Sequence, residues 1–187
     1  MKKAGFYWTW QGYLLRPAET KDAKAYYQQN FCPLDQKVAF LTGSKEQFTE
    51  AEVTNFFRAC CKAEDRLDLL LISPQGKIIG ESVINEWDAQ RRTANFRLAL
   101  FHSEDFGKGL GSFMTAVTRD FAFGVLGLEQ LELSVFSTNE RAIRTYLSAG
   151  FSVEGSWSEP GFAAEEKEAE ELLMVLTRET WEKRKTS

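Results

Sequence analysis

The fold is decided by residues 103–112, Ser-Glu-Asp-Phe-Gly-Lys-Gly-Leu-Gly-Ser, together with the residues on either side of them. Three glycines stand within the five residues 107–111. A strand-like segment, Thr93–Phe101, precedes them. Apolar residues then recur at spacings of three and four over Leu110–Phe121, which is the pattern of one helix face. The stretch therefore predicts a strand, a glycine-rich loop and the start of a helix.

Such a loop favours an anion. Glycine reaches positive φ and lets a ligand approach the main chain, and the first turn of a helix has N–H groups without intrahelical partners. These groups and the positive end of the helix dipole attract phosphates. Neither common phosphate motif fits, because GxGxxG needs a glycine at Ser112 and GxxxxGK[ST] has no match. Taken alone, the loop is also compatible with a tight turn that binds nothing.

Composition excludes several classes of protein. A length of 187 residues suits one domain, which we expect to span residues 1–187. The net charge of −4 argues against nucleic acid as a partner. The N-terminus lacks the apolar region of a signal peptide, and no run reaches the roughly 18 apolar residues of a membrane helix, so we predict a cytoplasmic protein without a membrane partner. One histidine and three cysteines without a CxxC motif predict no metal site.

The remaining pattern predicts a mixed α/β (α+β) fold. Helices are expected over Thr20–Asn30, after the capping box of Thr49 and Glu52, after the glycine loop, and between Asn139 and Gly150. Hairpins and crossovers both connect the elements, so we expect a mostly antiparallel central sheet of about seven strands flanked by helices. The expected strands are Phe6–Leu15, Leu67–Ile72, Lys77–Asn85, Thr93–Phe101, Leu131–Val135, Phe151–Trp157 and Leu172–Thr177.

A second motif follows the loop after about thirty residues: Asn139-Glu140-Arg141-Ala142-Ile143-Arg144-Thr145-Tyr146, then Gly150-Phe151. With the loop, it resembles the signature of the GNAT N-acetyltransferase superfamily. The family loop reads Arg/Gln-x-x-Gly-x-Gly/Ala, and the second motif reads Asn-x-x-Ala-x-x-x-Tyr followed by Gly-Phe. The resemblance extends from about Leu14 to Thr177. Ile79-Gly80-Glu81 and Arg91–Ala94 resemble the RimJ/RimL-like branch, which includes protein N-terminal and polyamine acetyltransferases.

The resemblance implies a GNAT-like acyl-CoA N-acyltransferase fold, with acetyl-CoA as cosubstrate and its diphosphate in the glycine loop. It also implies that a main-chain N–H group of the strand before the loop polarises the thioester carbonyl. Phe106 stands where the family has Arg or Gln, so main-chain N–H groups and Lys108 are left to hold the diphosphate. Asn139 is a candidate for the CoA arm, or a helix N-cap, or both. The implied cofactor-binding residues are Leu98, Ala99, Leu100, Phe106, Gly107, Lys108, Gly109, Leu110, Gly111, Ser112, Asn139 and Arg144.

The chemistry needs a base and an acid. An alkylamine with a pKa near that of lysine, about 10.4, must lose a proton before it attacks. Glu81 is the candidate base, although it and the carboxyls of Glu86 and Asp88 are each compatible with a solvated surface position. The second motif implies Tyr146 as the acid for the departing thiolate; the alternative is that its ring only packs in the core. Asn95 stands where many relatives carry a glutamate, and an amide cannot accept the proton.

The resemblance implies that the acceptor is a primary amine of a peptide N-terminus, a polyamine or a small molecule. Tyr27, Phe31, Trp87 and Asn95 are the residues predicted to line its site, with Tyr26 as a neighbour, although aromatic residues at helical spacing are also typical of a core. Six glutamates between residues 159 and 171 would attract a cationic amine. The alternative function is an inactive member that binds acyl-CoA as a regulatory module. The oligomeric state is left open, with a homodimer as one alternative.

Overall fold

The computed structural model describes residues 5–45, 47–158 and 170–185. The strands are β1 (Trp8–Trp10), β2 (Tyr13–Pro17), β3 (Leu67–Ile72), β4 (Ile78–Asp88), β5 (Thr93–Leu100), β6 (Gln130–Phe136), β7 (Ser152–Ser158) and β8 (Glu170–Thr177). The helices are α1 (Ala23–Asn30), α2 (Gln36–Thr42), α3 (Glu50–Lys62), α4 (Leu110–Gly124), α5 (Glu140–Ala149) and α6 (Arg178–Lys185).

The eight strands of the described residues form one sheet in the order β1-β2-β3-β4-β5-β6-β8-β7. Every neighbouring pair is antiparallel except β5 and β6, which are parallel. This confirms the predicted mixed, mostly antiparallel sheet with flanking helices. Among the described residues, no helix combines the length and the apolar character that crossing a bilayer requires.

One predicted strand is wrong. The segment Phe6–Leu15 is a hairpin of β1 and β2, which is why the sheet has eight strands instead of about seven. The chain reverses at Gln11 and Gly12, whose φ angles are 48° and 83°. Positive φ at both central residues is typical of the two-residue turn whose twist matches a hairpin. Apolar residues alternate on both sides of this turn, so the pattern resembled one long strand.

Helices cover both faces of the sheet. Leu67, Leu69 and Leu71 of β3 belong to the core that α4, α5 and α6 share. Leu70, which points the opposite way, belongs to a second core with residues of α1 and α3. All four leucines are at most 2% exposed, as expected for a strand covered on both faces.

Helices α2 and α6 were not predicted.

Strands β5 and β6 separate soon after they meet. Their pairing is limited to Thr93–Asn95 against Gln130–Glu132. Beyond this point β5 continues along β4 as far as Leu100, while β6 continues along β8 as far as Phe136. A wedge therefore opens between two neighbouring strands near the centre of the sheet.

Candidate active site

A cavity of about 1000 Å³ occupies this wedge. Its walls include Phe96–Leu100 of β5, Ser134–Phe136 of β6, the loop before α4 and the start of α5. Residues of α1, α2 and α3 form the other side. The volume lies at the upper end of the range of small-molecule sites, about 300–1,000 Å³, so the cavity suits a long ligand or two ligands together.

The glycine loop presents unpaired donors to this cavity. Gly107 and Gly109 have φ angles of 77° and 79°, in the left-handed region that favours glycine. The Phe106 N–H donates to the Ser103 carbonyl at 3.2 Å, but the N–H groups of residues 107–112 have no acceptor among the described residues. No side chain caps α4 at Gly109. The loop therefore fits an anion such as a diphosphate, for which it has free N–H groups and the positive end of a helix dipole.

The loop is held close to the β1–β2 hairpin. A Cβ atom at Gly109 would lie 3.0 Å from Cη2 of Trp10. The Trp10 indole stacks on the Phe113 ring, with 5.6 Å between the centroids. At Gly111, by contrast, the nearest atom to a Cβ would be Cδ2 of Leu98 at 4.0 Å. Position 109 therefore requires glycine for both its conformation and its contact, whereas position 111 has room for a methyl group.

Two basic residues assigned to the cofactor lie away from the cavity. The Lys108 ammonium is 2.7 Å from Oδ1 of Asp105, and this hydrogen bond raises the pKa of Lys108. Arg144 is exposed and pairs with Glu140 at 3.1 Å. Neither side chain belongs to the cavity wall. Their assignment to the cofactor stays a prediction that no contact supports.

Arg141, a basic residue that the sequence analysis did not single out, does belong to the cavity wall. The Arg141 guanidinium lies over the ring of Phe106, with Cζ 3.5 Å from the ring centroid. Both residues belong to the cavity wall. Arg141 stands in the quoted second motif, but its sequence neighbours carry no sign of a contact with a loop about thirty-five residues earlier.

Helix α5 brings Tyr146 to the cavity. Asn139 caps the helix, because its Oδ1 accepts from the Ala142 N–H at 3.3 Å, and Gly150 ends it with a φ of 106°. Tyr146 packs against the rings of Phe96 and Phe151 and is only 6% exposed, yet it belongs to the cavity wall. Burial raises the pKa of Tyr146 well above its usual value. The phenol is protonated at neutral pH, as an ordinary tyrosine is, and can donate that proton, although the raised pKa makes it a weaker acid.

Glu81 faces the cavity from β4. The Tyr26 hydroxyl donates to its Oε2 at 2.7 Å. Burial raises the pKa of Glu81 above its usual value, although the hydrogen bond from Tyr26 and the charge of Arg97 lower it. Glu81 is half-buried and hydrogen-bonded, which favours a role in the site over a solvated surface position. A raised pKa brings a carboxylate closer to the range in which it accepts protons efficiently at neutral pH.

The other candidate carboxyls differ. Glu86 is exposed, has a φ of 54° and belongs to the cavity wall. Asp88 does not belong to the wall; it accepts from the N–H groups of Gln90 and Arg91 at 2.8 and 2.9 Å and so stabilises a turn. Glu86 thus remains a candidate at the acceptor end, whereas Asp88 has a structural role.

The acceptor residues are only partly brought together. Phe31 and Asn95 belong to the wall, and the Asn95 amide donates to Oδ1 of Asn85 at 3.0 Å. Tyr27 and Trp87 do not belong to the wall: Tyr27 packs against the second core, and Trp87 packs against the first, with its Nε1 buried and without a partner among the described residues. Tyr26, and not Tyr27, belongs to the cavity wall. Of the acidic segment from residue 159 to 171, residues 159–169 lie outside the described residues.

The described residues hold no cluster of three or more His, Cys, Asp and Glu side chains that is arranged for a metal ion.

The fold and the cavity agree with a match in sequence. Residues 13–152 match the family described as acetyltransferase (GNAT) domain. Since this match covers most of the chain, the chain belongs to the GNAT acetyltransferase family. It is an N-acetyltransferase, an enzyme that transfers the acetyl group of acetyl-CoA to an amine.

The chain is similar to spermidine N-acetyltransferases from two organisms. The spermidine N(1)-acetyltransferase of Escherichia coli (strain K12) is 29% identical over 143 residues, which are 75% of this chain and 73% of the relative. The structure of spermidine N-acetyltransferase from Vibrio cholerae in complex with CoA and spermine has a TM-score of 0.78 at 19% identity, over 91% of this chain and 98% of that one. A dodecameric structure of the Vibrio cholerae enzyme in an intermediate state has a TM-score of 0.74 at 20% identity, over 92% and 98%.

Proposed function

We propose that the enzyme acetylates a primary amine of a polyamine such as spermidine, by direct attack of the amine on acetyl-CoA. One observation carries the proposal: the free N–H groups of residues 107–112, the Tyr146 phenol and the Glu81 carboxyl lie on the walls of one cavity. The first group suits a diphosphate, and the other two suit the proton transfers of acetyl transfer.

The carboxylates of the cavity wall support a cationic acceptor. Asp68 and Glu52 belong to the wall but are already paired, with Arg66 at 2.6 Å and Lys45 at 2.8 Å. Glu81 and Glu86, by contrast, have no ion-pair partner among the described residues. A polyamine carries several ammonium groups, so two unpaired carboxylates suit it better than an amine with a single charge. The names of the relatives, which are spermidine N-acetyltransferases, support the same substrate class.

The cofactor is assigned to the other end. Main-chain N–H groups of Gly107, Gly109 and the first turn of α4 bind the diphosphate, with Phe106, Leu110, Gly111 and Ser112 in the wall around it. Leu98–Leu100 lie where β5 has no pairing with β6, so their main chain is available to the acetyl-bearing arm. A fixed N–H donor there stabilises the charge that develops on the carbonyl oxygen.

Two side chains move the protons. Glu81 accepts the proton of the attacking ammonium group, directly or through a water molecule, and Tyr26 holds the carboxyl in place. The C–N bond forms as the C–S bond breaks, and Tyr146 donates its proton to the departing thiolate. The second proton of the attacking nitrogen leaves as the amide forms and returns to the Tyr146 oxygen through water, while Glu81 releases its proton to solvent. A thiolate with a pKa of about 8.5 needs only modest help from an acid. The products are an N-acetylated amine and free CoA.

Three finer predictions belong to this proposal. The RimJ/RimL-like assignment has less support than the spermidine N-acetyltransferases, because those are the relatives described above. The single sheet supports one domain over residues 1–187. The dodecameric relative supports an oligomer, of which a homodimer is one possible unit.

The test is release of thiol from acetyl-CoA with spermidine, spermine, a monoamine and a peptide with a free N-terminus. We expect the highest kcat/KM for a polyamine. Glu81→Gln should lower kcat strongly, whereas the matched variant Glu52→Gln, on the same wall but already paired, should change it little. Turnover of the peptide alone would contradict the substrate class, and tight binding of acetyl-CoA without turnover of any amine would favour a regulatory module.

A further inference from the structure

Arg141 is a cation at a position that disfavours one. It is the second residue of α5, so it lies at the positive end of the helix dipole. Burial lowers the pKa of Arg141, and the charge of Arg144 lowers it further. No carboxyl of the described residues lies within ion-pair distance of its guanidinium, whereas Arg144, on the same helix, pairs with Glu140 at 3.1 Å. An anion from outside the chain would relieve this unfavourable arrangement.

The stacking of Arg141 on Phe106 indicates where that anion would bind. The distance of 3.5 Å between Cζ and the ring centroid is that of a guanidinium stacked on an aromatic face. Stacking by the face leaves the N–H groups at the edge of the guanidinium free to donate. Phe106 directly precedes the unpaired N–H groups of residues 107–112, so these donors and the guanidinium belong to one part of the cavity wall.

The start of α2 adds a further positive charge. The Lys37 ammonium lies 6.0 Å from the centroid of the same Phe106 ring. Two cations therefore approach Phe106 from two different helices, α2 and α5, and the uncapped start of a third helix, α4, belongs to the cavity wall with Phe106. The planar fork of an arginine matches a phosphate group, to which it donates two parallel hydrogen bonds.

We propose that Arg141, held in place by stacking on Phe106, binds a phosphate group of acetyl-CoA. This inference rests on the proposed function and extends it, because it adds a cation from α5 to the main-chain donors of the loop. Phe106, an apolar residue in a phosphate loop, then acts as a positioning residue for that cation. The phosphate is either the diphosphate or the 3′-phosphate of the nucleotide.

The experiment compares the affinity of three proteins for CoA by isothermal titration calorimetry: wild type, Arg141→Met and Arg91→Met. Methionine keeps much of the side-chain volume and removes the charge. We expect Arg141→Met to raise the Kd for CoA about tenfold or more, because charge-assisted, bidentate hydrogen bonds are the strong ones. Arg91, the control, is an exposed arginine outside the cavity wall that pairs with Asp88; Arg91→Met should change the Kd by less than about twofold, since an exposed ion pair contributes little.

Dephospho-CoA, which lacks the 3′-phosphate, identifies the group that is bound. If Arg141→Met no longer weakens binding when dephospho-CoA is the ligand, the partner is the 3′-phosphate. If the loss is the same with both ligands, the partner is the diphosphate. In both cases the difference between wild type and Arg141→Met should shrink in 1 M salt, where the screening length is only about 3 Å.

A second variant tests the positioning role. Phe106→Leu removes the aromatic face and keeps Arg141; it should weaken CoA binding in the wild type but add no further loss in the Arg141→Met protein. Thermal unfolding without ligand should show that Arg141→Met is folded, because the variant removes no ion pair of the described residues. Equal CoA affinity of wild type and Arg141→Met, or equal losses in Arg141→Met and Arg91→Met, would overturn the inference. Failure of the wild type to bind CoA would instead count against the proposed function.

Discussion

Tyr146 and Tyr26 are both buried tyrosines of the cavity wall, but their hydroxyl groups differ. The Tyr26 hydroxyl donates to Glu81 at 2.7 Å, while burial alone accounts for the raised pKa of Tyr146, whose hydroxyl has no partner among the described residues. Replacing each tyrosine by phenylalanine removes one oxygen atom and keeps the ring. The two variants therefore separate a catalytic role from a structural one.

For Tyr146→Phe, we expect a loss of turnover without a loss of stability. No hydrogen bond of the described residues is broken, so the free energy of unfolding should change by less than about 0.5 kcal/mol. A general acid contributes about 10²–10⁴ in rate, and a thiolate needs less help than most leaving groups, so kcat should fall about 10–100-fold. The Kd for CoA should stay within about twofold, because the phosphate-binding loop is unchanged.

For Tyr26→Phe, we expect a clear loss of stability. A hydrogen bond to a charged group contributes about 1.5–3 kcal/mol. At about 2–4 °C per kcal/mol for a chain of this size, the unfolding midpoint should fall by about 3–12 °C. The pKa of Glu81 should also rise further, since the lost hydrogen bond favours the ionised carboxyl.

The assay is thiol release at saturating acetyl-CoA and spermidine, with CoA affinity by calorimetry and unfolding by circular dichroism. An unchanged kcat in Tyr146→Phe would refute the acid role. If Tyr146→Phe instead lowered the unfolding midpoint as much as Tyr26→Phe does, the alternative that Tyr146 only packs in the core would be favoured.

Two further pairs of variants test stability. Burial raises the pKa of Glu81 above its ordinary value of 4.5, so the folded protein binds that proton more tightly than the unfolded chain, and stability is lost as pH rises through the raised pKa. The unfolding midpoint of Glu81→Gln should therefore rise relative to that of wild type as pH increases above about 4.5. The pKa shift of Glu52 has the opposite sign, since its hydrogen bond with Lys45 lowers its pKa to about 2. Glu52→Gln should therefore lower the unfolding midpoint at neutral pH, and the difference from wild type should shrink as pH falls below 4.5. Gly109→Ala should lower stability by at least about 1 kcal/mol and weaken CoA binding, because its φ is 79° and an indole lies against it. Gly111→Ala should raise stability by up to about 1 kcal/mol, and a midpoint that falls as far as that of Gly109→Ala would contradict this account of the loop.

Features with local causes were predictable from the sequence. The positive φ of Gly107 and Gly109, the cap at Asn139 and the left-handed end of α5 at Gly150 each depend on a few neighbouring residues. The resemblance then related these local features to one cofactor.

Contacts across the fold were not predictable in this way. Tyr26 and Glu81 are 55 positions apart, and the packing of α1 on β4 decides that Tyr26, and not Tyr27, faces the carboxyl. The pairing of Lys108 with Asp105 instead of the cavity depends on which direction a short loop gives a flexible side chain. Such choices are made by tertiary packing, which periodicity does not report.

The central claim is that the main-chain N–H groups of residues 107–112 bind the diphosphate of acetyl-CoA. A crystal structure of the complex tests it most directly. We predict phosphate oxygens within about 2.7–3.2 Å of several of these nitrogen atoms, with the acetyl group between Tyr146 and Glu81. A complex with the nucleotide bound elsewhere, and with these N–H groups paired to protein carbonyls, would contradict the account.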